Sequence, residues 1–494
     1  MNLLLIAVLS AAPDTLWSNV TSGGVYSSVP LEDLNGDGTH DVVCGVNFWD
    51  SEPTLWAISG ATGDTIWTSD QCKGIYQDEG LTALPDIDGD GKMDILVATP
   101  GGYDPPGRSL LVVSGATGQI VWQWSAYQHM PGGTGWGYSC CTVDDWTEDG
   151  IQEVVGGFGT TGSAGTGCAA CLDGSSGDSL WTYSAIDAVE DVMAVPDVTG
   201  DGYAEVCLGI GGNSYADDTM VLLDGVTGTP LWESSGNGDV MCLTLVDRPD
   251  TTPLLVSCTF NGYVTALDQA GGPVWFVETF STMLLDIESG PDVDGDGVQD
   301  LALAGDDDGT YCLSGVDGDN IWAYPTGAST WSTVWAESVL VDGEPTACVF
   351  SGSVNDRKVS LLDAIDGTLV WEESFTERVY NVSVSPSLDG LPSPTLLVGL
   401  QDQQPLSTHA WAFSSSLETS CPEEPECPVE HSGDLWVANP VYGESLRLTV
   451  PFEARCRVSL YDLTGRVVLR ETAIGPRVEL EAPGLGAGIY MLGV

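Results

Sequence analysis

Five nine-residue segments hold the side chains best suited to chemistry. They read DLNGDGTHD at 33–41, DIDGDGKMD at 86–94, DWTEDGIQE at 145–153, DVTGDGYAE at 197–205 and DVDGDGVQD at 292–300. Each sets oxygen-bearing side chains at positions 1, 3, 5 and 9, with glycine at 6. The candidate metal ligands are therefore Asp33, Asn35, Asp37 and Asp41, then Asp86, Asp88, Asp90 and Asp94. The later segments add Asp145, Thr147, Asp149 and Glu153, then Asp197, Thr199, Asp201 and Glu205, then Asp292, Asp294, Asp296 and Asp300. A hard cation takes six to eight oxygens at ~2.3–2.6 Å. Alternate residues of a tight loop can turn their oxygens inward, while the glycine carries the backbone through the bend. The position-7 carbonyl can add a ligand. One such segment would be compatible with an acidic turn holding no metal. Five at one spacing and one repeat phase predict calcium, with about five sites. The segments are shorter than an EF-hand loop and fall between strands, which excludes that motif. Equivalent stretches near Asp247, Asp342 and Asp389 have lost the pattern and predict no ion there.

Catalytic candidates are scarce. The histidines are His40, His129, His409 and His431, and no nucleophile elbow, HExxH or phosphate-binding loop is present. Cys168-Ala-Ala-Cys171 has metal-like spacing but no second pair. No catalytic residue is assigned, and binding is the expected activity. The longest repeat, the third, carries a Gly-rich insertion from His129 to Cys141. Long loops on a rigid ring often hold binding residues, so Trp136 and Tyr138 are candidate ligand contacts; a merely decorative loop is the alternative.

The elements that position these groups come from a repeat. SGATGDTIW at 59–67 returns as SGATGQIVW at 114–122, DGSSGDSLW at 173–181 and DGVTGTPLW at 224–232. It continues as DQAGGPVW at 268–275, SGVDGDNIW at 314–322 and DAIDGTLVW at 363–371. Each copy reads as strand, glycine turn, strand carrying Trp. Trp67, Trp122, Trp181, Trp232, Trp275, Trp322 and Trp371 recur every 43 to 59 residues, the size of a four-stranded propeller blade. Asp14-Thr-Leu-Trp17 repeats only the second half of the motif, and His409-Ala-Trp-Ala-Phe413 only the strand before it. If the two pair, the ring closes without exposed edges. The predicted fold class is all-β: an eight-bladed β-propeller over 13–415, closed by its N-terminal strand. A linker at 416–432 and a small C-terminal β-sandwich domain at 433–494 follow.

Composition restricts the partners. Net charge is −59, and residues 1–430 carry 65 acidic against 7 basic side chains, about −58 by difference. Such a surface repels phosphate backbones and anionic lipid, so nucleic acid is excluded as a partner. No run reaches the ~18 apolar residues of a transmembrane helix. Leu3 to Val8 followed by Ser10-Ala11-Ala12 reads as a signal peptide over 1–12, the alternative being a buried first strand. The 14 cysteines are too few for a disulfide scaffold. Cys44, Cys207, Cys258 and Cys348 lie in apolar strand-like runs and read as buried hydrophobes. Cys421 and Cys427 could close a small loop in the linker.

The carboxylate segments, each followed by a Val/Leu-rich strand, resemble the FG-GAP repeats of integrin α-subunit propellers, which implies calcium on one face of the ring. The Trp-bearing turns resemble the tryptophan-docking motif of quinoprotein eight-bladed propellers. Together these cover about 14–415. Vicinal Cys140-Cys141 resembles the adjacent-Cys disulfide of quinoprotein dehydrogenases, although their cofactor-stacking Trp and catalytic Asp have no counterpart here. The segment with Asn439-Pro440, Tyr461-Asp-Leu-Thr-Gly-Arg-Val-Val468 and Gly488-Ile-Tyr490 resembles the type A sorting domain of the type IX secretion system. It lacks the basic strand end often seen there, and a generic immunoglobulin-like module is the alternative. The resemblance implies export by the type IX machinery, placing the protein in the medium or at the outer-membrane surface of a bacterium. The expected function is a calcium-binding adhesion or ligand-binding module for an unidentified protein or carbohydrate. The alternative is a secreted propeller enzyme, either a quinoprotein-type dehydrogenase or a calcium-dependent polysaccharide lyase.

Overall fold

A computed structural model describes residues 13–47, 53–100, 108–129, 135–160, 166–212, 219–249, 251–279, 281–306, 309–401 and 408–417, and the backbone of five strands between 445 and 493. Residues 13–416 form one compact unit. Its described strands make eight antiparallel sheets of four, one of them extended by a fifth short strand.

The first strands of the blades are Val25–Leu31, Leu81–Leu84, Trp136–Thr142, Val189–Val195, Val240–Val246, Leu284–Ser289, Thr330–Val341 and Arg378–Ser385. They pack against one another around the ring and line its axis. The second strands, such as Asp41–Val46 and Asp94–Thr99, are buried along their whole length. The fourth strands, such as Pro273–Glu278, alternate buried and exposed residues, as an outer edge must. Blade 8 takes its fourth strand from the other end of the chain. Thr15–Val20 lies antiparallel to Thr408–Ser414, with Trp17 opposite Ala412. The expected closure is present.

The recurring tryptophans explain how flat sheets stay in register. Each indole Nε1 donates to a carbonyl in the turn before the next blade's fourth strand. Trp17 reaches Gly60 O at 2.9 Å, Trp67 Gly115 O at 2.7 Å, Trp122 Gly174 O at 2.8 Å and Trp181 Gly225 O at 2.6 Å. Trp232, Trp275 and Trp322 bond Gln269, Gly315 and Ala364 in the same way. The ring then lies on the glycine of that turn. At Gly177, with φ +73°, an added Cβ would stand 2.6 Å from Trp122 Cε3. The motif thus needs glycine twice over, for its left-handed backbone and for the approach of the indole. Burying one indole stabilises by on the order of 4–6 kcal/mol as an upper bound. Trp371 is the exception: it is buried, but its Nε1 has no partner among the described residues. The next blade is blade 8, where the chain break replaces the docking turn.

Where the carboxylate loop is missing the chain substitutes other devices. In blade 7 Asp342 and Gly343, at φ +56° and +78°, make a two-residue turn between two lengthened strands. Ser416–Leu417 adds the fifth strand there.

The second unit contains five described strands. Ser445–Thr449 pairs with Arg477–Glu481, while Val467–Ile474, Arg455–Tyr461 and Met491–Gly493 form a three-stranded sheet. The signal segment 1–12, the linker from 418 onward with Cys421 and Cys427, Asn439-Pro440 and Gly488-Ile-Tyr490 lie outside the described residues.

Candidate metal loops and axial channel

Antiparallel succession within each blade puts the loops between first and second strands on the same face as the turns between third and fourth. All five carboxylate loops therefore share one face of the ring. Their internal bonding repeats closely. Asp33 accepts from the N–H groups of Gly36 at 2.6 Å, Asp37 at 3.1 Å and Gly38 at 2.8 Å. Asp86 and Asp292 make the same three bonds in their loops. Position 1 is thus a backbone organiser, and the N–H of Gly38 is the main cause of the lowered Asp33 pKa. The N–H of Thr39 does the same for Asp37.

Position 9 is the deepest. Asp41, Asp94 and Asp300 are wholly buried. Asp41 joins the loop, through Leu34 N–H at 2.7 Å, to the docking turn, through Gly60 N–H at 3.0 Å. Asp94 links Ile87 and Gly115 likewise, and Asp300 links Val293 and Gly315. Burial raises the pKa of all three. Glu153 and Glu205 reach back to the N–H groups of Thr147 and Thr199. Position 5 also touches the turn: Ser59, Ser114, Ser175 and Ser314 hydroxyls donate to Asp37, Asp90, Asp149 and Asp296. Loop and tryptophan dock are therefore one bonded unit.

In two loops three carboxylates already converge. Oxygens of Asp86, Asp88 and Asp90 lie within 4.8 Å of one another, as do those of Asp292, Asp294 and Asp300. Asn35, Thr147 and Thr199 bring neutral oxygens to position 3 of the other three. An ionised carboxylate offers about four lone-pair sites. Asp88 and Asp294 each give one oxygen to a loop N–H and keep the other for a ligand. An all-oxygen set of this kind fits a hard divalent cation. Calcium there would neutralise clustered charge and cross-link loop to turn.

Trp136 and Tyr138 sit elsewhere than expected. They belong not to a surface loop but to the first strand of blade 3. Tyr138 is wholly buried, and both rings pack on Tyr76, at 5.4 Å each. Only Trp136 of the two keeps any exposure. Cys140 and Cys141 are separate thiols, not a vicinal disulfide. Burial pushes Cys140 up to about 12. Cys168 and Cys171 are buried in the third strand of the same blade, and His129 stacks on Trp124.

Seven of the eight first strands carry an irregularity at one register, just inside their start. Bulges re-aim side chains, and here they set unusual groups around the axis. Tyr26 and Tyr380 stack at 4.6 Å across blades 1 and 8, and Trp331 of blade 7 lies 5.0 Å from Tyr380 with 37% of its surface exposed. Blades 4 and 6 contribute acids instead: Glu190, Asp191, Asp286 and Glu288. The connection before blade 2 adds Asp78 and Glu79, which reach across the axis, since Cys242 Sγ of blade 5 lies 3.5 Å from Glu79 Oε1. Burial, and then a neighbouring carboxylate, pushes Asp78, Glu190, Asp191 and Asp286 well above the usual range. Burial brings Glu288 to about 7. Sequence reasoning passed over these groups. The available signal was acids inside apolar strands (VEDVM at 189–193, LLDIES at 284–289) and aromatics one or two residues into VYSS and VYNV.

Comparison with known proteins agrees with this architecture. The family model for the FG-GAP repeat matches residues 79–120, and that for outer membrane protein assembly factor BamB matches residues 260–403. No curated protein matches the chain. Among solved structures, a quinohemoprotein alcohol dehydrogenase of Pseudomonas putida, ADHIIG, is 12% identical with TM-score 0.56, over 86% of this chain and 79% of that one. Sqt1 of Saccharomyces cerevisiae is 11% identical with TM-score 0.54, over 82% and 99%. The computationally designed Ika8 protein is 12% identical with TM-score 0.53, over 81% and 99%. At such identities the likeness is one of fold alone. The chain is a β-propeller repeat protein with FG-GAP-like and quinoprotein-like repeats.

Proposed function

We infer that this propeller is a calcium-loaded recognition module, acting as an adhesin or ligand receptor outside a bacterial cell. One observation carries the reading: five oxygen-rich loops in the same repeat phase on one face of the ring, four of them bonded to a tryptophan dock. Calcium there stiffens the scaffold, and the axial mouth with Tyr26, Tyr380 and Trp331 is left to meet a ligand. Stacking aromatics suit a carbohydrate or an aromatic-bearing peptide. Export rests on the resemblance of 433–494 to a type IX sorting domain, and the strong acidity suits an extracellular setting.

Calcium calorimetry paired with thermal melting on the full chain tests the first half. About five ions with a rising melting temperature are expected; no heat and no shift reduce the loops to acidic turns. Glycan and protein arrays in calcium test the second half, and silence above background removes the ligand. For export, residues 433–494 are fused to a reporter in a strain with the type IX machinery. A reporter retained in the periplasm rejects that part.

A further inference from the structure

The axial acids include a donor set unlike that of the loops. Glu79, Cys242 and Asp286 bring one ligand atom each within 4.8 Å of one another. They come from three separate places: the connection before blade 2, blade 5 and blade 6. The connection is held across the axis on several sides. Ser27 Oγ donates to Asp78 O at 2.6 Å, Gln77 Nε2 donates to Glu190 Oε2 at 3.5 Å, and Cys140 Sγ lies 3.6 Å from Glu79 O. Asp286 is fixed by the N–H of Thr333 at 2.8 Å. These bonds build the cluster before any ligand arrives.

Two polar side chains near the cluster are buried. Asn381 is 0% exposed and its amide acts on the Asp78 carboxylate. Thr333 is 1% exposed, and its Oγ1 has no partner among the described residues, next to the N–H that holds Asp286. Buried polar atoms are rarely left unpaired. Water bound to an ion at the cluster would supply that partner. The same ion would offset the repulsion among Asp78, Glu79, Asp191, Asp286 and Glu288.

We propose that Glu79, Cys242 and Asp286 form an axial site for one thiophilic divalent cation of the zinc class, distinct from the calcium loops. The thiol decides the class. Calcium and magnesium take oxygen, whereas zinc takes cysteine sulfur at ~2.3 Å together with carboxylate oxygen. On binding, the Cys242 proton leaves to solvent and the thiolate, two carboxylates and water complete four-coordination. The ion would lock the crossing connection to blades 5 and 6, joining opposite sides of the ring.

The test uses the full chain in excess calcium, dialysed against Zn²⁺ or Co²⁺. The expected result is one retained zinc per chain. The cobalt form should show a thiolate-to-cobalt charge-transfer band in the near ultraviolet. Cys242→Ser should abolish that band and weaken zinc binding at least about tenfold, and Glu79→Gln should weaken it as well, with Glu278→Gln on the outer strand of blade 5 as a control that changes neither. Circular dichroism checks that each variant is folded. If Cys242→Ser does not fold, the wild-type cobalt spectrum and Asp286→Asn still decide. No retained ion, a retained ion without the thiolate band, or folded variants that bind as the parent does would each overturn the site.

Discussion

Gly177→Ala isolates what the tryptophan dock is worth. Gly177 sits at φ +73°, where any residue with a Cβ pays about 1–2 kcal/mol. The new methyl would also stand 2.6 Å from Trp122 Cε3 and 2.7 Å from Cδ2, so the indole must shift. Overpacking of that kind costs about 1–3 kcal/mol, part of it the strained 2.8 Å bond from Trp122 Nε1 to Gly174 O. The sum is roughly 2–5 kcal/mol. Gly327 supplies the control: it has the same φ of +73°, but nothing lies within 4 Å of its added Cβ. Gly327→Ala should therefore cost only the backbone term, about 1–2 kcal/mol. Both variants are unfolded in urea with excess chelator, followed by tryptophan fluorescence and circular dichroism. Gly177→Ala should unfold at clearly lower urea. Equal midpoints would refute the idea that the glycine is required by the indole as well as by the turn.

Three further outcomes follow from the same geometry. Trp322→Phe should cost about 0.5–1.5 kcal/mol more than Trp371→Phe in urea titrations, because Trp322 bonds Ala364 O at 2.7 Å and Trp371 Nε1 has no partner to lose among the described residues. Asp94→Ala should destabilise by about 1–3 kcal/mol even in chelator, since it leaves the Ile87 and Gly115 N–H groups unpaired; Asp88→Asn should act only when calcium is present, as read by melting with and without the ion. Burial holds the thiols of Cys44, Cys140 and Cys168 at about 12, so at pH 8 roughly one molecule in ten thousand carries each thiolate. Iodoacetamide should label these cysteines only after denaturation, checked by peptide mass spectrometry.

The ring was legible because its repeat states both halves of each contact. The glycine turn before each of the seven repeat tryptophans marks the turn that receives the previous blade's indole, and Asp14-Thr-Leu-Trp17 shows where the circle is joined. The loops were equally legible, since position, spacing and glycine sit within nine residues. Their dual role was not: nothing local reveals that Asp41 also binds Gly60, because the partner lies in the third-to-fourth turn. In the sequence Trp136 and Tyr138 read as part of a Gly-rich insertion, whereas WGYSCCT pairs as a first strand and Tyr138 packs under Tyr76. The axial group was invisible for a related reason. Glu79, Cys242 and Asp286 meet only after the ring has closed around the connection at 75–80, and no sequence window contains more than one of them.

The seam of the ring has a kinetic consequence. Thr15 faces Phe413, so strands from the two ends of the propeller share one sheet. Chain entropy sets the cost of closing so long a loop on the order of 5 kcal/mol, against far less for the hairpins inside each blade. Blades should form early, and the final sheet should wait with the edge of Thr408–Ser414 bare. Displacing the strand at 15–20 should therefore expose that edge while the hairpins inside the other blades keep their pairing.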